Sequence, residues 1–267
     1  MPVVEYKKKD RVAYVNLNRP EAMNALNPEV GEALSAAFDD IERDDDVLAV
    51  ILAGNGGKAF CAGMDLKWRA EEDAAGNVLS VDNMPNLGFQ AVQSCSKPII
   101  AAIDGFCLAG GMQMASRCDI RVATQASRFG MPEARRALTA VGIVDTPEVF
   151  FPPGEAALIL LTGSHYPAQR AYEMGFVQAL LPDRDSMLSA AEQIASEIKQ
   201  CAPLAVAAIK AVLKTKLDMP TPPEGKSTLK HLLDVNSERL ERNSTSEDRL
   251  EGPLAFAEKR LPDWKNR

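Results

Sequence analysis

Two glycine-bearing turns are the segments of this chain whose residue types could perform chemistry. Residues 62–65 read Ala-Gly-Met-Asp, residues 109–111 read Ala-Gly-Gly, and each turn follows an apolar run. Glycine lets a ligand approach the backbone closely, and the second turn opens a predicted helix whose first amides have no partner within the helix. Such amides can bind a negatively charged or polarised oxygen. Tight packing of a strand against a helix explains either turn taken alone, so both interpretations remain open at this point.

The surrounding pattern predicts the elements that position these turns. Apolar and β-branched runs predict strands at 12–17, 47–53, 98–103 and 119–124, and helical spacing predicts helices at 28–43 and from 111 to about 117. Residues 68–86 are predicted to form a loop with a helical turn or two. Helical spacing then recurs over 187–200, 203–217 and 226–242. Strands and helices thus alternate to about residue 180 and helices alone follow, which predicts an α/β core with a helical C-terminal region.

Composition excludes several classes of function. The 267 residues are 46% hydrophobic and 25% charged, as in ordinary globular proteins, and the net charge of −7 disfavours general nucleic-acid binding. Five cysteines without a CxxC pair and two histidines do not suggest a disulfide framework, a zinc site or a Ser-His-Asp triad. The N-terminus lacks the apolar stretch of a signal peptide, and the apolar runs are too short to span a bilayer. We therefore expect a reduced, soluble, cytoplasmic protein.

Taken together, the motifs resemble those of the crotonase family, also called the enoyl-CoA hydratase/isomerase family. They occur in the family's order and cover nearly the whole chain: LNRPEAMNAL at 17–26, AFCAGMDL at 59–66, KPIIAAIDG at 97–105, AGG at 109–111, CD at 118–119, FGMPE at 129–133, LTG at 161–163 and AFAEKR at 255–260. The resemblance implies a spiral of ββα units over residues 1–200. It also implies a C-terminal helical oligomerisation region, 201–267, that builds a homotrimer or homohexamer.

The resemblance also implies a substrate and an oxyanion hole. Family members bind an acyl-CoA thioester, and the matching backbone amides that hold its carbonyl oxygen are those of Met64 and Gly110. Removing the α-proton of a thioester, or adding a nucleophile to its β-carbon, places negative charge on that oxygen. One preset donor of this kind is typically worth about 10²–10³ in rate. No metal, redox nucleotide or prosthetic group is implied, because CoA arrives as part of the substrate; nucleic-acid and membrane partners are not implied either.

The acid–base residues depart from the hydratase pattern. Hydratases of the family carry two glutamates at places that Gln113 and Glu133 occupy here. Glutamine can orient water or substrate but cannot exchange a proton as a carboxylate does. One carboxylate suffices for a double-bond shift, and family isomerases use one at the place of Glu133. The alternatives for Glu133 are a solvated loop position or an ion pair with Arg135 or Arg136.

A second departure follows Glu133. The family's usual glycine-rich stretch, which normally lines the acyl end of the pocket, is replaced by Ala-Leu-Thr-Ala-Val-Gly-Ile-Val-Asp at 137–145. Its final residue, Asp145, could supply a second acid, and a surface role is at least as well supported. The acyl pocket therefore cannot be assigned from the family pattern.

The expected CoA contacts lie along the first two motifs. The resemblance implies backbone contacts near Ala22 and Ala62 and a channel wall formed by the Met23 side chain. Lys259 could reach the CoA phosphates from a neighbouring subunit, and a solvated basic tail explains it equally well. We predict that Cys61 and Cys107 pack in the core.

The function that follows is stabilisation of a thioester enolate with proton transfer by one glutamate, in double-bond isomerisation or in hydration and dehydration of an enoyl-CoA. The alternative is a catalytically weak acyl-CoA-binding or scaffold protein that has lost one catalytic carboxylate.

Overall fold

The structure is a computed structural model, and it describes residues 1–77, 79, 83–138, 151–218, 224 and 227–267. The strands are β1 Val4–Lys9, β2 Val12–Leu17, β3 Ala49–Gly54, β4 Ala59–Cys61, β5 Ile99–Ile103, β6 Phe106–Leu108, β7 Ile120–Thr124, β8 Arg128–Gly130, β9 His165–Pro167 and β10 Ala179–Leu181. The helices are α1 Pro28–Arg43, α2 Leu66–Ala74, α3 Phe89–Ser94, α4 Gly110–Arg117, α5 Pro153–Thr162, α6 Ala168–Glu173, α7 Arg184–Lys199, α8 Pro203–Asp218, α9 Thr228–Val235, α10 Ser237–Ser244 and α11 Asp248–Glu258. Short 3₁₀ segments occupy Pro20–Ala22 and Pro132–Arg136.

The strands form two sheets. The larger sheet has the order β1-β2-β3-β5-β7-β10 and is parallel except for the antiparallel pair β1–β2. The smaller sheet has the order β4-β6-β8-β9, in which β4, β6 and β8 run parallel and β9 runs antiparallel. The pairs β3–β4, β5–β6 and β7–β8 therefore each send one strand to each sheet, and a helix or 3₁₀ segment follows each pair. This repetition agrees with the predicted ββα units.

Helix α1 shows why the predicted elements form where they do. The Oδ1 atom of Asn27 accepts a hydrogen bond from the Val30 amide at 3.0 Å and caps the N-terminus, and Pro28 begins the helix. The buried residues Val30, Leu34, Phe38 and Ile41 recur at spacings of four, four and three. One face of α1 therefore packs on the core.

The core lies on both faces of the larger sheet. In β3, Val50 and Leu52 belong to the apolar cluster shared with the smaller sheet, while Ala49, Ile51 and Ala53 belong to a second cluster beneath α7. Met187, Ala191 and Ala195 supply the α7 side of this second cluster. A strand buried on both faces explains the continuous apolar run that predicted it.

Helix α2 covers residues 68–74 of the segment 68–86, which agrees with the predicted helical turn or two. Other predictions require correction in detail. The helix predicted over 226–242 is two helices, α9 and α10, that meet at Asn236. The sequence patterns also missed β1 and the short strands of the smaller sheet. None of the helices within the described ranges combines the length and apolar character that a membrane span requires.

Candidate active site

The two glycine-bearing turns lie side by side because they follow neighbouring strands. Strands β4 and β6 pair in parallel, with Cys61 opposite Cys107, and each is followed by one of the turns. Gly63 has φ of +97°, and a Cβ there would lie 2.6 Å from Ala109 Cβ and 3.2 Å from Gly110 N. Contact at that distance excludes a side chain at position 63. The glycine is therefore required both for the backbone conformation and for the approach of the second turn.

Residue Leu26 holds the first turn from the other side. Its amide donates to Gly63 O and its carbonyl accepts from Asp65 N, both at 2.8 Å, which makes a parallel bridge between Leu26 and Met64. In a parallel bridge the bonds come from the residues that flank the bridged one, so the Met64 amide itself points away from Leu26. The two bonds therefore set the direction of that amide.

The Met64 and Gly110 amides are both available as donors. Gly110 is the first residue of α4, where a helical amide has no internal acceptor and the helix dipole is positive. Within the described ranges, neither of the two amides donates a hydrogen bond to a protein acceptor. The arrangement offers two main-chain donors on touching turns, which is what binding a carbonyl oxygen or an oxyanion requires.

Ala109 holds the second turn in an unusual conformation. Its φ of 51° and ψ of −125° are rare for a residue with a side chain, and such a conformation costs on the order of 1–3 kcal/mol. Its amide donates to Gly130 O at 2.9 Å, at the end of β8. This bond ties the start of α4 to the chain three residues before Glu133.

Glu133 is a buried carboxylate. It lies on the 3₁₀ segment after β8, is 7% exposed, and neither carboxylate oxygen has a hydrogen-bond partner among the described residues. Burial raises the pKa of its carboxyl above the ordinary value. Arg135 instead donates to Thr162 O at 2.8 Å and to Ser164 Oγ at 3.0 Å. Arg136 donates to Arg135 O. The alternatives of a solvated carboxylate and of an ion pair with Arg135 or Arg136 are therefore wrong.

Gln113 lies on α4, one turn after Gly110, and is 7% exposed. The main-chain amide of Gln113 donates to Ala109 O at 3.0 Å as part of the regular helix. The structure thus places Gln113 and Glu133 on the two segments that Ala109 joins to Gly130. Asp145, the other candidate acid, lies outside the described residues.

Three of the predicted CoA contacts come together and the fourth does not. The Ala62 amide donates to Met23 O at 3.1 Å, so the segment carrying Ala22 and Met23 lies against the first turn. Lys259 is exposed at the C-terminal end of α11, and no contact in the described part of the chain joins it to that segment. Cys61 and Cys107 are fully buried, which agrees with their predicted packing.

Sequence reasoning missed the residues that fasten the first turn. The guanidinium of Arg19 forms an ion pair with Asp65 Oδ2 at 2.9 Å, and Asn24 Nδ2 donates to Ala59 O at 2.8 Å. Arg19 and Asp65 stand 46 residues apart, in two different motifs. The presence of opposite charges in both motifs is the signal that could have linked them.

No group of three or more His, Cys, Asp or Glu side chains in the described ranges could hold a metal ion. The arrangement just described combines two main-chain donors with one buried carboxylate.

The chain is similar to known proteins over nearly its whole length. The sequence profile of the family described as enoyl-CoA hydratase/isomerase matches residues 7–267. The chain is 34% identical over 262 residues to the carnitinyl-CoA dehydratase of Salmonella typhi, covering 95% of this chain and 94% of that protein. It is 32% identical over 264 residues to the short-chain-enoyl-CoA hydratase of Clostridium acetobutylicum, covering 98% and 97%.

A solved structure gives the same result for the fold. The enoyl-CoA hydratase from Mycobacterium tuberculosis H37Rv matches with a TM-score of 0.85 and 37% sequence identity, over 100% of both chains. This similarity confirms the predicted α/β fold with its helical C-terminal region.

Proposed function

Because the chain belongs to the enoyl-CoA hydratase/isomerase family, or crotonase family, we propose that it stabilises a thioester enolate with two main-chain amides and moves protons with one glutamate. The substrate is an acyl-CoA thioester. The single observation that carries the proposal is the unpartnered, 7% exposed carboxylate of Glu133 in a chain whose Met64 and Gly110 amides also lack acceptors within the described ranges.

The proposed mechanism starts with Glu133 as the base. Burial raises the pKa of Glu133, so its carboxylate binds a proton more strongly than an exposed glutamate does. In a 3-enoyl-CoA, the carboxylate removes a proton from C2, and the electron pair delocalises onto the thioester oxygen. The Met64 and Gly110 amides stabilise the charge on that oxygen. Glu133 then returns the proton to C4, which leaves the double bond between C2 and C3.

Double-bond isomerisation is the activity that the residues favour. Hydration adds water across a double bond and uses a second acid–base group, which Gln113 cannot supply. Gln113 can hold a water molecule by hydrogen bonding, so slow hydration or dehydration remains compatible with the site. The names of the relatives, a dehydratase and a hydratase, favour this second activity.

The CoA moiety is proposed to lie along the segment that carries Ala22 and Met23 and against Ala62. The bond from the Ala62 amide to Met23 O holds these two parts of the chain together. Lys259, exposed and distant along the chain, would contact the CoA phosphates of a neighbouring subunit. No further cofactor is proposed.

We also propose a homotrimer or homohexamer. The C-terminal helices carry exposed apolar side chains that a second copy would cover: Ile209, Leu213, Leu229, Leu233, Leu250, Leu254 and Phe256. Sedimentation should give a trimer or a hexamer at micromolar concentration. A monomer would argue against this assembly and against a shared CoA site that includes Lys259.

Incubation with crotonyl-CoA and with a 3-enoyl-CoA in deuterated buffer tests the reaction. The proposal expects isomerisation of the 3-enoyl-CoA and slower hydration of crotonyl-CoA. Solvent deuterium enters the product to the extent that the Glu133 carboxyl exchanges its proton before returning it to C4. Binding of both thioesters without turnover or exchange would favour the alternative, a catalytically weak acyl-CoA-binding or scaffold protein.

A further inference from the structure

The direction of the Met64 amide depends on how firmly Leu26 is held. Leu26 contacts both residues that flank Met64 through two hydrogen bonds of 2.8 Å. A shift of the segment around Leu26 would therefore rotate or displace the Met64 amide. Displacement of about 1 Å at a reacting geometry can cost on the order of 10²-fold in rate.

The side chain of Arg19 joins the two segments that this bridge connects. Its Nη1 atom donates at 2.8 Å to the carbonyl oxygen of Ala25, the residue before Leu26. Its Nη2 atom donates at 2.9 Å to Oδ2 of Asp65, the residue after Met64. The planar guanidinium suits this task because its donors point in fixed, different directions. The Arg19 and Asp65 side chains are only 18% and 13% exposed, so water competes little with the pair.

The two oxygens of Asp65 have separate partners. Oδ1 accepts from the Lys67 and Trp68 amides at 3.1 and 3.3 Å and caps α2, while Oδ2 accepts from Arg19. Burial by itself would raise the pKa of Asp65, but the hydrogen bonds from Arg19 and from the two amides lower it below the ordinary value. The carboxylate is thus charged and fixed at both oxygens.

We propose that Arg19 and Asp65 are positioning residues for the reaction, which hold the Met64 amide in the direction that transition-state stabilisation needs. This inference rests on the proposed function. The pair touches neither substrate nor Glu133 in the proposed mechanism. The amides of Ala22 and Asn24 donate to the main-chain oxygen of Arg19 and hold the segment that is proposed to bind CoA. Replacing the Arg19 side chain leaves these main-chain bonds in place. Loss of the pair should therefore lower kcat and leave KM nearly unchanged.

The test compares Arg19→Gln, Asp65→Asn and the double variant in the full-length protein. Asp65→Asn keeps an oxygen that can cap α2, so it removes the ion pair with little other change. We expect each single variant to lose about 10- to 100-fold in kcat for double-bond isomerisation. The double variant should lose no more than the worse single variant, because both changes break one interaction.

Arg19→Lys is the conservative variant, and it also guards against a folding failure of Arg19→Gln. A lysine ammonium can pair with Asp65 but lacks the fork that also reaches Ala25 O. Its kcat should fall between those of the wild type and Arg19→Gln.

Another part-buried ion pair supplies the matched control. Lys210 Nζ and Asp119 Oδ2 are 2.8 Å apart, with side chains 9% and 32% exposed. Asp119 accepts from the amide of Ile99 at the start of β5 and follows the C-terminal end of α4, the end opposite Gly110. Lys210→Gln and Asp119→Asn should lower the melting temperature without changing the kcat of the folded enzyme. A merely structural role for Arg19 and Asp65 would give this same result.

Infrared spectroscopy supplies a readout other than turnover. Butyryl-CoA, a saturated and unreactive thioester, should show a lowered carbonyl stretching frequency when it binds the wild type. The shift should be smaller in Arg19→Gln and Asp65→Asn and unchanged in the two control variants.

The outcomes separate this inference from the proposed function. Wild-type kcat and a full carbonyl shift in Arg19→Gln and Asp65→Asn, in an enzyme that isomerises a 3-enoyl-CoA, would overturn this inference alone. Wild-type protein that neither isomerises nor exchanges protons would overturn both.

Discussion

Each end of α4 is linked to a buried ionisable residue, Arg121 at the C-terminal end and Glu133 at the N-terminal end, and the two residues have opposite surroundings. Arg121, 3% exposed, donates to carbonyl oxygens at the C-terminal end of the helix, Ala115 O at 3.1 Å and Cys118 O at 2.6 Å, and to Phe176 O at 2.6 Å. Glu133, tied to the start of the helix through Gly130 and Ala109, has no partner for either oxygen in the described part of the chain.

The difference separates a structural charge, Arg121, from a carboxyl group that we propose to be reactive, Glu133. The hydrogen bonds of Arg121 repay part of its desolvation and satisfy carbonyls that the end of a helix leaves unpaired. Among the residues that the structure describes, no hydrogen bond of this kind reaches the carboxylate of Glu133, and burial raises its pKa and keeps its proton affinity high. A buried charge without a partner lowers stability, and it persists in proteins mainly where a ligand or a proton supplies the missing interaction.

The largest effect should come from Glu133→Gln. The change keeps the shape of the side chain but removes the base, so kcat for double-bond isomerisation should fall by about 10²–10⁴ while acyl-CoA affinity changes little. The melting temperature should stay the same or rise, because an uncompensated buried carboxylate is lost. Steady-state kinetics and thermal unfolding measure the two quantities.

Retention of wild-type turnover by this variant would remove Glu133 from the mechanism. Asp145 would then be the next acid to replace. A fall in melting temperature as large as that of an Arg121 variant would instead show that Glu133 is a structural charge, and the comparison would fail.

Arg121→Met should affect stability rather than chemistry. Each buried carbonyl left without a donor costs about 1–3 kcal/mol, so the free energy of unfolding should fall by about 3 kcal/mol or more. Urea denaturation measures the loss. Folded protein at low temperature should keep nearly wild-type KM, and a selective loss of kcat with unchanged stability would contradict the distinction.

Because the pKa of Glu133 is raised, folding stability should fall and kcat/KM should rise as the pH increases through the range in which Glu133 titrates. The folded state binds this proton more tightly than the unfolded state does. Its contribution to stability is therefore complete below the unfolded pKa, near 4.5, and is lost as pH rises through the higher folded pKa. Over the same window kcat/KM should rise about tenfold per pH unit until the carboxylate is fully ionised.

Glu133→Gln is the control for this profile, because glutamine does not titrate. Its stability relative to wild type should increase as pH rises through the window, and its residual activity should lose the acidic limb. A limb with a midpoint at or below 4.5 in the wild type would show that Glu133 is not the titrating base.

Gln113→Glu should have the smallest effect. A second carboxylate restores the hydratase pattern, and we expect turnover on crotonyl-CoA to rise by roughly two- to tenfold, well below the full worth of an acid–base group. The gain is limited because the segment after Glu133 also departs from that pattern. Gln113→Met, which cannot hydrogen-bond, is the matched control. No gain in a variant that folds and binds CoA would identify that segment as the obstacle to hydration.

The long elements of the fold could be predicted because each carries its own pattern. Strands β2 and β3 and helix α1 show apolar periodicity or β-branched runs over enough residues to be recognised. Strands β4, β6 and β8 have three residues each, which is too few to show a period. These short strands bring the two turns together, so the assembly of the site depends on pairing that no local pattern reports.

The candidate site divides in the same way. Met64, Gly110 and Glu133 could be named through family resemblance, and their proposed roles remain predictions. The burial of Glu133 and the ion pair between Arg19 and Asp65 depend on contacts between segments far apart in the sequence. Long-range contacts of this kind are properties of the folded chain and leave no pattern in the local sequence.

The use of main-chain amides as donors also bears on how such a site can evolve. A main-chain donor survives every codon change at its own position except one to proline, which has no N–H group. Position 64 can therefore drift among side chains, whereas a Cβ at position 110 would lie 3.1 Å from Phe89 Cζ and is sterically restricted. Residues such as Gln113 can therefore be substituted during evolution, and the reaction can change, while the main-chain amides of residues 64 and 110 stay in place.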